Sequence, residues 1–447
     1  MKVRVLVCTV LLLLIGAPPA HAYLDPGTGS MLLSALVGLA ATCLFLLKDF
    51  WYNAVSFMYR VCGKNAPLDK RETLVFYSEG KQNWSTFQPI LEALAQRQVA
   101  ATYLTSDKQD PGLALLPPHR AQYIGTGNRA YTFLNMLEAD VVGMTTPNLD
   151  VLQIRRSQRV RHYTHIVHAV TDIALYKLFS CDYFDSVLCS GSHQIRTLRT
   201  LEQLRGTKPK LLLESGCPYM DVLAAQAAER EEPSAALEVP AHARLAPPRG
   251  GHQRCILVAP TWGQNGLLSR FGMSLLKPLA VQGHTVLIRP HPQSFVNESS
   301  LLKSLEKALE NHTNVRWDRE ASPVRSLRAA DILVSDISGI VFDCAFVFLK
   351  PVITLSFVPD IRGTDAFDLT EPVWEYQVLD QLGKRINVED VPHLPEIITS
   401  LLDKEEFTKR IQDLRSASVY NYANCAGIIA EQIIQIQQTI VKNNNAH

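Results

Sequence analysis

Several things are missing from this sequence, and each absence removes a class of explanation. The nine cysteines are odd in number and scattered, with no Cys-x-x-Cys pair and no Cys/His group at zinc spacing. That excludes a disulfide framework and a structural zinc module, and reads instead as small core residues in a reduced compartment. No Asp-x-Asp pair occurs, so the common carboxylate arrangement by which nucleotide-sugar enzymes hold a divalent ion is absent. The formal net charge is only +1, which leaves no global reason to expect nucleic acid as a partner. Charged residues are 19% against 47% hydrophobic, the balance of a folded chain. At 447 residues the chain is too long for one core and implies two or three domains.

What is present begins with an N-terminus of membrane type. Lys2 and Arg4 precede an apolar run that ends at Ala20-His21-Ala22, an A-x-A cleavage pattern. The expectation is a signal peptide over residues 1–22; the alternative is an uncleaved first membrane helix. A second uncharged run, Met31 to Leu47, approaches spanning length. Trp51, Tyr52 and Tyr59 follow as an interfacial belt, with Lys48, Arg60, Lys64, Lys70 and Arg71 on the same side. Residues 23–67 are thus read as a short external segment, a transmembrane helix at 31–47 and a juxtamembrane region. The positive-inside rule then places the body in the cytoplasm, on a single-pass anchor in the inner membrane, with the lipid bilayer as a partner.

From Thr73 onward strands alternate with helices: LVFYSEG, ATYLTSD, QYIGTGN, ADVVGMTT, HYTHIVHAV, SVLCSG and KLLLESGCP read as strands and their exits. This is the pattern of a doubly wound α/β domain over 68–228. Residues 229–252, rich in Pro, Ala and Gly, read as a linker. A second α/β series occupies 253–393, starting at CILVAPT and continuing through HTVLIRPHP and PVITLSF, and a helical tail covers 394–447. Ligands in such sheets bind at the carboxyl ends of strands, so the strand exits carry the argument.

Three exits in the second domain are unusual: APTWGQNG at 259–266, IRPHPQ at 288–293 and SDISG at 335–339. In DILVSDISGIVFD an apolar strand passes through a Ser/Gly turn into a helix, which aims N–H groups and the helix dipole at one spot suited to a phosphate. Ser338 is placed to cap that helix and to face an anion. The bland alternative is an ordinary βα turn. In RPHP two prolines fix the backbone around His291, and Arg289 lies two residues away on the same face; together they suit a diphosphate. In the first domain His162, His165 and His168 recur at intervals of three. On a strand that spacing sends neighbours to opposite faces, which argues against a metal triad. His168, at the strand's carboxyl end, is the expected general base. Glu79 and Trp84, after the first strand, and Arg155 and Arg156, in the basic run IRRSQRVRH, are the expected acceptor-binding residues, a solvated charged face being the alternative for the arginines.

In this order, APTW, RPHP and SDISGIVFD resemble the motifs of the CDP-glycerol glycerophosphotransferase family, the enzymes that build teichoic-acid-type polymers. HIVHAV at His168 and SGCPYMD at Gly216, Pro218 and Asp221 match two further segments of that family. The resemblance implies two Rossmann-like domains facing a cleft, the GT-B type, working without a metal or other cofactor. His168 and His291 would be catalytic, with His168 as base on the acceptor hydroxyl. Thr261, Arg289, Asp336, Ser338, Gly339 and Asp343 would bind the donor's phosphates and nucleotide, and CMP would leave. Three positions depart from the family pattern: Ala169 stands where glycine is usual, Gly263 where a basic residue is usual, and Gly339 where a second serine is usual. The expected function is transfer of glycerol phosphate, or a related alditol phosphate, from a CDP-activated donor to a membrane-linked glycan or polymer. The alternatives are a GT-B glycosyltransferase using a nucleotide sugar and a catalytically degenerate membrane-anchored binding protein.

Overall fold

A computed structural model describes residues 72–115, 117–229, 254–356, 360–402 and 407–445. The expected signal peptide, the membrane helix at 31–47 and nearly all of the linker at 229–252 lie outside the described residues. Among the described residues no helix is long and apolar enough to cross a membrane.

Residues 67–447 form one compact unit, built among the described residues on two all-parallel sheets. The first has seven strands: β1 (Glu72–Ser78), β2 (Thr102–Thr105), β3 (Arg120–Tyr123), β4 (Ala139–Met144), β5 (Val160–Ile166), β6 (Ser186–Cys189) and β7 (Leu211–Glu214), in the order β3-β2-β1-β4-β5-β6-β7. The second has six: β8 (Cys255–Val258), β9 (Thr285–Ile288), β10 (Val315–Trp317), β11 (Ile332–Ser335), β12 (Val352–Leu355) and β13 (Gly383–Ile386), ordered β10-β9-β8-β11-β12-β13. In each sheet the order reverses beside the first strand, the switch point where such folds open a crevice. The central strands are short continuous apolar runs because helices cover both faces: Ile256, Leu257, Val258, Ile332, Leu333 and Val334 are each wholly buried.

Two short edge strands were not evident from the sequence. β10 has a single fully buried residue, Val315, and so lacks an apolar run. β13 starts at Gly383, where any Cβ would collide with the backbone of Val352 on the neighbouring strand. The helices Ser192–Arg205 and Trp374–Leu382 also stand where only loop or unspecified segments were expected.

The expected tail divides between the two halves. Helices Leu394–Leu402 and Phe407–Ser418 pack on the second core through Leu394, Ile398, Leu401, Phe407 and Ile411. The last helix, Ala426–Asn445, returns to the first half. There Ile429, Ile433 and Ile436 repeat at helical spacing and bury against Phe87, Ile90 and Leu94 of the helix Trp84–Gln96. Its start is held by Asp221, whose Oδ2 accepts from the N–H groups of Cys425 (2.8 Å) and Ala426 (3.0 Å), a carboxylate at the positive end of the helix.

Side chains of both halves meet at several points. Arg205, 8% exposed, binds Asp182 of its own half and Asp365 and Asp368 of the other. Asp365 also accepts from the N–H groups of Phe179 (2.7 Å) and Ser180 (3.1 Å). His193 stacks on Trp374 with ring centres 4.0 Å apart. The described cysteines are free thiols.

Candidate active site

The carboxyl ends of β5, β8, β9 and β11 surround a cavity of about 310 Å³ between the two halves, within the range of small-molecule sites. The first half contributes His168 to Thr171 and Tyr219; the second contributes Pro260, Arg289 to Pro292, Pro323, Ser338 to Ile340, Phe342 and Asp343.

His168 follows the end of β5. Its ring stacks on Tyr176 (6.2 Å between centres, 11° between planes), and its Nδ1 is buried without a hydrogen-bond partner, which leaves Nε2 as the accessible nitrogen. Burial lowers its pKa from the ordinary value, so the neutral, basic form dominates at neutral pH. His165 points elsewhere. It is fully buried, tilted against Phe184 at 5.1 Å, and burial pushes it down to about 3. His162 bonds Ser186 Oγ at 2.8 Å. His165 and His168 share the Tyr176 ring, edge-on at 6.0 Å for the first and stacked for the second, but of the three histidines His168 alone lines the cavity.

Opposite, the Nδ1 of His291 accepts the N–H of Gln293 at 3.2 Å. That assigns the proton of the neutral ring to Nε2, ready to donate to an anionic oxygen. Trp262, 44% exposed, tilts against His291 at 6.4 Å. The helix opening at Ile340 has Gly339 as its N-cap with no side-chain cap. Ser338 thus does not cap it, because the helix begins one residue later than the sequence implied. The N–H groups of Val341 and Phe342 donate to the carbonyls of Ser338 (3.1 Å) and Gly339 (3.0 Å), so the N–H groups that the turn leaves open are those of Gly339 and Ile340, both on the cavity wall. A Cβ at Gly339 would meet nothing within 4 Å.

Arg289 lines the cavity, but its guanidinium is engaged. Nη1 donates to Asp318 Oδ2 at 2.6 Å, and Nη2 donates to the carbonyls of Glu320 (2.8 Å) and Ala321 (3.0 Å). It fastens the loop after β10, and its charge is paired with that of Asp318. Asp336, expected with the donor, is buried and accepts from the N–H groups of Thr261 (2.8 Å) and Leu267 (3.2 Å). It shapes the 259–267 loop rather than lining the cavity, and Thr261 belongs to the same support. Burial pushes the Asp336 carboxyl up to about 6.

Asp343 stands in a π-helical turn, Asp343–Val347, that continues the helix from Ile340. Burial pushes its carboxyl up to about 7, and it accepts the hydroxyl of Tyr219 at 3.0 Å across the cleft. Tyr219 was not singled out from the sequence, although it lies within the quoted SGCPYMD segment; its place in the first turn after a strand exit was the available signal. The other residues of that segment are structural. Gly216 has φ +113°, and a Cβ there would collide with Cys425 and the Tyr420 carbonyl; Pro218 opens its helix, and Asp221 caps the last one.

Glu79, Trp84, Arg155 and Arg156 are not brought to the cavity. Trp84 packs edge-on against Tyr103 at 5.7 Å, and Glu79 is exposed at the end of β1. Arg155 donates to the Asp150 carbonyl, while Arg156 pairs with Asp185 at 2.8 Å and covers the Tyr163 ring. Both arginines precede β5 and His168 follows it, so a seven-residue strand of about 20 Å separates them.

Among solved structures, that of the wall teichoic acid polymerase TagF with CDPG is similar at 17% identity and a TM-score of 0.52, covering 88% of this chain and 99% of that one. A UDP-N-acetylglucosamine 2-epimerase from Listeria monocytogenes is similar at 12% identity and a TM-score of 0.54, covering 82% and 95%. The UDP-GlcNAc 2-epimerase of Methanocaldococcus jannaschii gives 12% and 0.51, covering 83% and 100%. At such identities these likenesses establish the fold, two facing Rossmann-like domains, which polymerase and epimerases share. No curated protein matches the sequence. The profile that distinguishes between these chemistries is that of the CDP-Glycerol:Poly(glycerophosphate) glycerophosphotransferases, matched over residues 61–364. The match spans both sheets' cavity-lining strand exits, from His168 through RPHP to SDISG, and the chain belongs to that family of transferases.

Proposed function

We propose that the protein transfers glycerol phosphate, or a closely related alditol phosphate, from a CDP-activated donor to a hydroxyl of a membrane-linked or cell-surface glycan, a teichoic-acid-like acceptor, and releases CMP. One observation carries the reading. A neutral histidine from one half and a donor histidine with an open helix start from the other line a single cavity. Phosphoryl transfer asks little covalent chemistry of a protein; it needs in-line positioning and donors around the phosphates.

In this reading the alditol-bearing phosphate of the donor lies against Ser338 and the N–H groups at Gly339. Nε2–H of His291 donates to the diphosphate. Nε2 of His168 accepts the proton of the acceptor hydroxyl as its oxygen forms a bond to that phosphorus. The bond from this phosphorus to the bridging oxygen breaks, and CMP departs with the oxygen and the electron pair. Arg289, paired with Asp318, holds the loop behind the site, and no metal or other cofactor is assigned to it. The body is placed on the cytoplasmic side, where nucleotide-activated donors are found, tethered by the apolar segment at 31–47.

Radiolabel transfer from CDP-glycerol into membrane lipid or polymer tests the reading, with wild type compared to His291→Ala. Label incorporated by wild type and lost in the variant supports it. Equal incorporation overturns the site, and protection from heat by UDP-sugars in place of CDP-glycerol overturns the donor.

A further inference from the structure

The segment that carries His168 is held from two directions. From the first half, Ser190 Oγ (3.1 Å) and Gln194 Nε2 (3.3 Å) donate to the Ala169 carbonyl, His193 Nε2 donates to that of Val170 (2.8 Å), and Gln194 Nε2 donates to that of Thr171 (2.8 Å). Every carbonyl from 169 to 171 is thereby fixed by the helix Ser192–Arg205 or the residue pair before it. The next amide belongs to the other half. Asp172 N–H donates at 2.7 Å to Oε1 of Glu375, which lies 203 residues away in the first turn of the helix Trp374–Leu382.

Glu375 is wholly buried, an expensive place for a carboxyl unless it serves as an acceptor. Burial and the Asp172 carboxylate push it up to about 8, so it accepts from Asp172 as a neutral acid. Asp172 answers within the same knot, accepting from Thr197 Oγ1 at 2.8 Å and Ala174 N–H at 3.3 Å, with the Trp374 N–H also facing it. Its capped turn leads to Tyr176, the ring on which His168 stacks. The Trp374 ring meanwhile stacks between His193 (4.0 Å) and Phe342 (5.0 Å), and Phe342 lines the cavity on the donor side.

We propose that Glu375 is a positioning residue that fixes the His168 segment, through the Asp172 amide, at its working distance from the donor half. The inference rests on the transferase reading given above. Glu375 touches neither the cavity nor the reacting atoms, and acts by deciding where the base stands relative to the phosphate turn.

Two substitutions keep the volume filled. Glu375→Gln retains an oxygen that accepts from Asp172, whereas Glu375→Leu does not and leaves that N–H buried without a partner. The variants are compared with wild type for transfer from CDP-glycerol, for heat protection by CMP and for hydrogen exchange across residues 168–176. The Leu variant is expected to lose tenfold to a hundredfold in kcat, on the order expected for a misplaced catalytic group. Its donor KM and CMP protection should stay within about twofold, and its 168–176 segment should exchange faster, on the order of tenfold, as a lost buried hydrogen bond implies. The Gln variant restores both kcat and the slow exchange. Wild-type kcat and exchange in the Leu variant would overturn the proposal, as would equal damage in both variants or loss of CMP protection alongside kcat. If wild type transfers nothing from CDP-glycerol, the transferase reading falls instead, and the exchange comparison alone decides whether Glu375 fixes the segment.

Discussion

Asp343 gives the sharpest quantitative test of the site's electrostatics. Its carboxyl is displaced from an ordinary 3.8 to about 7 by burial, with the Tyr219 hydrogen bond opposing the rise. In the folded chain the proton stays on until about pH 7, whereas in the unfolded chain it leaves near 3.8. Folding therefore takes up a proton between these values. The contribution to stability is whole below pH 3.8 and is lost as pH rises through 7. The full displacement is worth about 4 kcal/mol; because the residue lines a cavity open to water, roughly half, ~2 kcal/mol, is the realistic figure. Asp343→Asn stays neutral at every pH and keeps an oxygen for Tyr219, so it escapes this loss. Urea denaturation of both proteins from about pH 4 to about pH 9 measures the effect. The stability of the variant relative to wild type should climb by ~2 kcal/mol across the window and then level off. Tyr219, Arg289, Cys217 and Cys344 surround the carboxyl in both proteins and cancel in the comparison. Asp172 and Asp336, each pushed up to about 6, cancel likewise. Two pH curves that run parallel throughout would show that Asp343 is ionised in the fold and that the reasoning is wrong.

Further outcomes are expected from the same geometry. His168→Ala should lower kcat by about a hundredfold or more while heat protection by CMP persists, and the wild-type acid limb of kcat should lie below pH 6.5, since burial lowers this histidine. Gly339→Ser should fold with unchanged stability, within about 0.5 kcal/mol, because φ is −54° and the space is open; a changed donor KM would show that the added hydroxyl reaches the phosphate. Gly216→Ala should destabilise by about 2 kcal/mol or more in thermal unfolding, because it meets both the positive φ and the Cys425 side chain.

The sequence was legible where one residue type settles the physics. Continuous runs such as Ile332-Leu333-Val334 fit only a strand covered on both faces, and the strand exits they define hold His168, His291 and Ser338. It was illegible where the outcome depends on a partner far along the chain. Arg289 reads as a phosphate ligand, yet Asp318 and two carbonyls occupy its donors. Asp336 reads as part of an anion site, yet it ties down the backbone at Thr261 and Leu267. The arginines before β5 are basic enough for an acceptor site, but strand direction places them at the far end from the cavity. Glu375 sits in a helix with no motif around it, and only the meeting of the two sheets gives it a role.

The return of the last helix to the first sheet has a consequence for the order of events during synthesis. The groove formed by Phe87, Ile90 and Leu94 exists some 340 residues before the isoleucines that fill it leave the ribosome, roughly twenty seconds or more of translation. Throughout that interval the first half carries an uncovered apolar face, while the second sheet is made and folded. The halves are therefore stitched together by chronology as well as by contact. A chain stopped at Asn421 would not be a shortened transferase but one left permanently at that intermediate stage, with Asp221 capping nothing.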